Sequence, residues 1–286
     1  MAVGRWGVGF LGTGQMATAL ASAWRRTECL DLSRSWAWDI QAAAREQFAQ
    51  RIGLPLAASN REVASRCELL LLAVKPGDVE AVLEEIRPVL RPEHLFVSIA
   101  AGVRLQTLQD GLGGHRRIVR VMPNTGCLVG CGASGISAAP EVTPREVEQV
   151  EGLFRAVGYV CRVPETLLDA VTGLSGSGPA FVALIVEALA DGGVLSGLPR
   201  NLALELAAHT VLGTARLILE DGRHPAQIKD AVASPGGTTI AGLHVLEKAG
   251  VRGVLQQAVW MATCRAKELA EGGQNPSTAE GCFSKK

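Results

Sequence analysis

Short, unbroken apolar runs recur along the first half of the chain at intervals too close for long helices. Trp6–Leu11, Ser35–Asp39, Cys67–Val74, Leu95–Gly102, Ile118–Asn124, Cys131–Ser137 and Tyr159–Val163 each read as a strand. The run Leu69-Leu-Leu-Leu72 has no polar residue in it, as expected of a strand covered on both faces of a parallel sheet. Between these runs the apolar spacing turns helical over Ala17–Arg25, Gln41–Arg51, a short segment capped by Ser59 or Asn60, Asp78–Leu90 and Thr143–Val157. Strand and helix alternating over residues 4–163 predict one doubly wound α/β domain.

Beyond Pro164 no strand pattern returns. Val182–Leu195, Ala203–Leu219, Ile240–Lys248 and Leu255–Ala270 carry helical periodicity, and Phe181–Ala190 holds one charge, Glu187. A helix apolar on every side is buried in a large core or against another subunit. With roughly 110 residues in this half, a subunit interface is the expected use. The chain therefore divides into residues 1–164, a dinucleotide-binding domain, residues 165–272, an all-α substrate and dimerisation domain, and a polar, flexible tail at 273–286.

Composition narrows the partners. The 286 residues include 28 basic and 28 acidic side chains, so no net field draws nucleic acid or an anionic membrane, and a small molecule is the expected ligand. No signal-peptide pattern follows Arg5, and no stretch of about 18 uncharged apolar residues occurs, which points to a cytoplasmic protein. The seven cysteines are scattered without zinc-site spacing; reduced thiols and no metal are expected. Cys127 and Cys131, the closest pair, sit in buried or turn positions by this reading. His209, His224 and His244 pair with no acid or nucleophile in the manner of a triad.

Three stretches carry candidate chemistry. The first is Gly12-Thr-Gly-Gln-Met-Ala17, a G-x-G-x-x-A turn between a strand and a helix. Gly12 permits the turn, Gly14 lets a pyrophosphate approach the backbone, and Ala17 keeps the helix close to the sheet. Asp39, about 25 residues beyond Gly14, stands near the place where an acid accepts from a ribose 2′-OH and repels a 2′-phosphate. It is equally a cap for the helix that follows. Lys75, fixed by Pro76 at the end of the third strand, faces the ligand edge of a doubly wound sheet or solvent.

The other two are small-residue loops. In Ser234-Pro-Gly-Gly-Thr-Thr239, glycines release the backbone before a helix that opens at Thr238. A helix start without side-chain cover presents unpaired N–H groups and partial positive charge to a carboxylate or phosphate. The alternative is an ordinary cap by Ser234 or Thr238. Thr172-Gly-Leu-Ser-Gly-Ser-Gly-Pro-Ala-Phe181 reads the same way, as a second loop feeding a helix.

Together with Asp169–Ala180, Ala190–Gly193, Leu212–Ala215, Ala73–Pro76, Ala100–Gly102 and Val121–Thr125, the Asp230–Gly250 stretch resembles pyrroline-5-carboxylate reductase over roughly residues 4–270. The resemblance implies a Rossmann-type sheet followed by an all-α dimerisation domain. It also implies reduction of L-1-pyrroline-5-carboxylate to L-proline with NAD(P)H, in a homodimer that can assemble further. Carried over, it places the pyrophosphate against Leu11, Gly12, Thr13, Gly14, Gln15 and Met16, and the adenosine near Asn60 and Asp39. Ala73, Val74, Lys75, Pro76, Ala100 and Ala101 would line the ribose and nicotinamide, with Glu165 and Thr172 approaching the latter. Ser234, Gly236, Gly237 and Thr238 would hold the substrate carboxylate, and the Thr239 hydroxyl would bond the ring nitrogen. Trp38-Asp39 replaces the family's usual small polar residue, Gly126 a usual proline and Phe181 a frequent tyrosine. Rival readings are a β-hydroxyacid dehydrogenase-like enzyme using Lys229 or Lys248, and a non-catalytic NAD(P)-sensing protein.

Overall fold

The computed structural model describes residues 5–271. The expected flexible tail and Cys282 lie outside them. The elements run β1 (Val8–Leu11), α1 (Gln15–Arg26), β2 (Trp36–Trp38), α2 (Ala42–Ile52), α3 (Asn60–Arg66), β3 (Leu69–Leu72), α4 (Val79–Ile86), β4 (Leu95–Ser98), α5 (Leu105–Gly111), β5 (Ile118–Met122), β6 (Gly132–Ala138), α6 (Pro144–Arg155) and β7 (Gly158–Arg162). They continue with α7 (Leu168–Val171), α8 (Gly178–Leu195), α9 (Arg200–Asp221), α10 (Pro225–Ala231), α11 (Thr238–Lys248) and α12 (Val251–Ala270). Two compact units result: Gly178–Trp260, and the remainder of the described chain.

The first unit holds a seven-stranded sheet in the order β2-β1-β3-β4-β5-β6-β7. All neighbours are parallel except β5 and β6. That exception follows from the link: Pro123–Cys131 carries only a 3-10 turn, whereas a parallel return needs a crossover of a dozen or more residues. The chain leaves β1 towards β2 on one side and returns through β3 on the other, which puts a topological switch point at the C-terminal ends of β1 and β3.

Both faces of the sheet are covered, as the uninterrupted apolar strands require. All four residues of β1, β3 and β4 are buried. Trp24 on α1 is fully buried, donates its indole N–H to the Leu153 carbonyl at 2.6 Å and meets Phe154 edge-on at 5.7 Å between ring centroids. This contact fixes α1 against α6 and thereby the loop at the start of α1. At α6 itself, Thr143 and Glu146 form a reciprocal capping box, so Pro144 opens the helix where the sequence predicts it.

Glu151 on α6 is buried and paired with Arg162 and Arg155. The hydrogen bond from Arg162 is the main reason its carboxyl is held below the ordinary glutamate value of 4.5. A depressed carboxyl stabilises the fold fully above its unfolded-state value, and that stabilisation disappears as pH falls through the folded one. Glu151→Gln is expected to lower the melting temperature near neutrality and to flatten its decline on acidification. An unchanged acid limb in thermal melts would show that this pair does not contribute.

In the second unit α8 and α9 are joined by the short link 196–199, and a small cluster of Ala190, Ala203 and Ala207 lies between them with Val186 and Val194. Most other apolar side chains here face outward: Leu184 is 65% exposed, Leu219 82% and Leu195 91%. Although no long uncharged apolar stretch is evident from the sequence, the helical run Glu165–Leu195 and α9 are long and apolar enough to cross a membrane by length and composition alone.

One further expectation changes. Thr172–Gly176 forms no loop; it is a π-helical turn within the run from Glu165 to Leu195, closed by the Ser177 N–H on the Thr172 carbonyl at 2.9 Å. Glycine and serine read locally as breakers, but the flanking helix carries the chain through them with one residue of slack. Among the cysteines, 29, 67, 127, 131 and 161 are free thiols.

Candidate functional site

At the switch point, Leu11 ends β1 and Gly12 turns the chain with φ of +98°. A side chain at Gly12 would start 2.8 Å from the Ala73 carbonyl oxygen and from Val74 Cγ1, so only glycine fits. The Gly12 N–H donates to the Trp38 carbonyl and the Ala73 N–H to the Leu11 carbonyl, both at 2.8 Å. These bonds draw the ends of β1, β2 and β3 together.

Gly14 is different. Its backbone is extended, it caps α1 without any side-chain hydrogen bond, and a Cβ there would meet nothing within 4 Å. The protein itself has no need of a glycine at this exposed position, and the space over it is open. Beside it the buried Thr13 hydroxyl has no partner among the described residues. Gln15 and Met16 form the first turn of α1, whose N–H groups point into the same open space, and Ala17 is fully buried against the sheet. An uncovered helix start, an orphan hydroxyl and free space over glycine together fit a dinucleotide.

Asp39 follows β2, and its carboxylate accepts from the Thr13 N–H at 2.8 Å and the Gln41 N–H at 2.9 Å. These bonds tie the turn after β2 to the loop after β1; α2 itself is capped by Gln41 without a side-chain bond, so Asp39 is not the cap of that helix. Lys75 and Pro76 are exposed at the end of β3, while Ala73 and Val74 are half-buried. Ala100 is buried and Ala101 half-buried just after β4. Asn60 is the first residue of α3, with Ser59 as its cap, and its amide donates to Glu85 at 2.8 Å.

Glu165 accepts from the Leu105 N–H and from the guanidinium of Arg120, each at 2.6 Å. Arg120 is buried in β5, so this pair ties the segment after β7 to the middle of the sheet. The pairing spans 45 residues and leaves no sequence signal. Asn124 also emerges only from the structure: its side chain accepts from Gly126 and Ala133 N–H groups and donates to the Ser175 carbonyl. It clips the π turn carrying Thr172 to the end of β5. Gly126 suits this clip, because its N–H is a donor proline lacks and a Cβ would start 2.5 Å from the Cys131 carbonyl oxygen.

In the second unit, α11 opens at Thr238 with Gly237 as its cap and no side-chain capping bond. Gly236 reaches φ of +67°, and a Cβ on Gly237 would start 2.3 Å from Ser234 Oγ. The Gly237 N–H donates to the Ser234 carbonyl at 3.0 Å, which folds Ser234 back over the glycines. Ser234, Gly236 and Thr238 are exposed and Thr239 is half-buried. The structure therefore has a bare helix tip with three hydroxyls around it, and neither Ser234 nor Thr238 caps the helix.

The alternative residues are placed less aptly. Lys229 pairs with its neighbour Asp230 at 3.3 Å. His209 and His244 are exposed, and His224 caps α10 through its ring nitrogen. Among the described residues no three His, Cys, Asp or Glu side chains gather as metal ligands. A cavity of about 430 Å³ lies at the opposite, N-terminal edge of the strands, lined by Gly7, Arg34, Arg66, Leu69 and Leu95 among others, away from the switch point.

Comparison with known proteins gives one consistent answer. Residues 165–269 match the family model described as pyrroline-5-carboxylate reductase dimerisation, and residues 7–102 match one described as NADP oxidoreductase coenzyme F420-dependent. The pyrroline-5-carboxylate reductase of Synechocystis is 47% identical over 92% of this chain and 98% of its own, and that of Methanosarcina acetivorans 43% over the same shares. Among solved structures, the Coxiella burnetii reductase superposes with a TM-score of 0.85 at 34% identity, over 93% of this chain and 99% of its own. The Plasmodium falciparum pyrroline carboxylate reductase, solved with NADP bound, gives 0.84 at 32% identity over 93% and 100%. Relatives this similar over nearly the whole length leave no room for a shared fold alone: the chain belongs to the pyrroline-5-carboxylate reductase family.

Proposed function

We propose that this protein reduces L-1-pyrroline-5-carboxylate to L-proline, the last step of proline biosynthesis. Bound NAD(P)H supplies a hydride to the C=N carbon, while the ring nitrogen takes the bond's electron pair and a proton. A cyclic imine is electrophilic once protonated, so the protein's tasks are binding and orientation rather than strong acid catalysis. That agrees with exposed histidines standing apart from any triad.

The observation that carries this reading is the bare start of α11. Its N–H groups, with Ser234, Gly236, Gly237 and Thr238, take the substrate carboxylate, and the Thr239 hydroxyl holds the ring nitrogen. The loop from Leu11 to Ala17 cradles the pyrophosphate. Asp39 and Asn60 serve the adenosine side, and Ala73, Val74, Lys75, Pro76, Ala100, Ala101, Glu165 and Thr172 serve the ribose and nicotinamide. A lysine-dependent dehydrogenase gains no support from Lys229, which is already paired. The test is oxidation of NADH or NADPH by the purified protein on addition of pyrroline-5-carboxylate. Substrate-dependent oxidation is expected, and its absence with both coenzymes would remove the proposal.

The outward apolar faces of α8 and α9 are assigned to a second copy of the chain, giving a homodimer that can associate further. Their exposed leucines and the dimerisation family model support this. Light scattering at micromolar concentration is expected to give at least twice the chain mass. A monomer without detergent, or a species that needs detergent to remain dispersed, would contradict it.

A further inference from the structure

We infer that this chain selects NADH over NADPH, through two carboxylates that occupy the adenosine side of the dinucleotide site. The inference rests on the function proposed above and adds the coenzyme it left undecided.

The first carboxylate is Asp39. Both its oxygens are anchored on backbone N–H groups, one of them in the phosphate loop itself, so the charge is fixed at the C-terminal end of β2. Each oxygen has a further lone pair for a ribose hydroxyl, whereas a 2′-phosphate there would face a full negative charge with no freedom to swing away. The nearest cation on the same segment offers no relief. Arg45 donates to the Asp39 backbone carbonyl, not to the carboxylate, and also to the Ile40 carbonyl at 3.3 Å. Its guanidinium stacks on Trp38 at 4.1 Å. A side chain locked by two carbonyls and an indole is poorly placed to turn towards a phosphate.

The second carboxylate is Glu85 on α4. It accepts from the Asn60 amide at 2.8 Å and the Arg61 backbone N–H at 3.2 Å. The Arg61 guanidinium is turned the same way, towards the Glu85 carbonyl at 3.4 Å. Donors that would serve a 2′-phosphate at Asn60 and Arg61 are therefore spent on an internal acid, which adds its own negative charge. Asp39 and Glu85 act in one direction.

Direct binding provides the test. Fluorescence titration of the intact protein is expected to give a dissociation constant for NADH at least about tenfold below that for NADPH, a difference of about 1.4 kcal/mol. Asp39→Ser should bring the two within about threefold, chiefly by improving NADPH, and Glu85→Gln should narrow the gap by a smaller factor. Equal affinities in the wild-type protein, or tighter NADPH binding, would overturn the inference even if both variants failed to fold. So would an unchanged ratio in a folded Asp39→Ser protein. Failure to bind either dinucleotide would instead sink the underlying function.

Discussion

Thr239→Ala is expected to lower kcat/KM for pyrroline-5-carboxylate about a hundredfold, the scale of losing one preorganised donor at a reacting centre. Dinucleotide affinity should stay as it is. Thr239 is half-buried in the first turn of α11, one residue beyond the exposed Thr238, and Gly237 supplies no side-chain cap that would compete for the same space. In the role proposed for it, the hydroxyl would meet the nitrogen as its charge changes during hydride addition, so the loss should fall mainly on kcat. Thr239→Ser keeps the donor and should recover most of the rate. Steady-state kinetics of both variants decide the matter: full activity in Thr239→Ala would remove the hydroxyl from the chemistry.

The loop between β1 and α1 offers a contrast between two glycines two residues apart. Gly14→Val adds a side chain where the protein leaves open space and the backbone is extended. Its cost to the fold is about 1 kcal/mol, the scale of a poorer helix cap. It occupies the space assigned to the pyrophosphate, however, and should raise the dinucleotide dissociation constant at least about tenfold. Gly12→Val meets a backbone oxygen at 2.8 Å and requires positive φ. That strain alone costs about 1–3 kcal/mol, so the melting temperature should fall before binding can be measured. Thermal melts and titrations of the pair separate a ligand-facing glycine from a structural one. A large stability loss in Gly14→Val, with normal binding, would reverse the assignment.

The parts of this site that were legible in the sequence are those fixed by short-range rules. Buried strands such as Leu69–Leu72 admit few alternatives, and a G-x-G-x-x-A turn between a strand and a helix carries its own geometry. The glycine-opened start of α11 was legible for the same reason. Local rules failed at Thr172–Gly176, where glycines and serines that favour a loop are carried through by the helix on either side. They also failed at α5, a seven-residue helix whose polar Gln106, Gln109 and Asp110 gave little periodic signal. The antiparallel β5–β6 pair depended on what its link lacked. Side-chain partnerships across long separations were beyond reach: Arg120 with Glu165, Asn60 with Glu85 and Asn124 with Ser175 arise only when the sheet assembles. Asp39 shows the limit most clearly: the sequence leaves it as a cap of α2 or a ribose acceptor, whereas α2 begins after Gln41 without a side-chain capping bond and the Asp39 oxygens are held by the Gln41 and Thr13 N–H groups, the latter 26 residues away.

The claim on which the account turns is that the uncovered tip of α11 holds the substrate by its carboxylate. Comparing L-1-pyrroline-5-carboxylate with 1-pyrroline, the same ring without the acid group, tests it without altering the protein. With saturating coenzyme, kcat/KM for 1-pyrroline is expected to be lower by at least about a hundredfold, roughly 2.7 kcal/mol of lost binding. Comparable values for the two imines would show that the helix tip does not grip the acid.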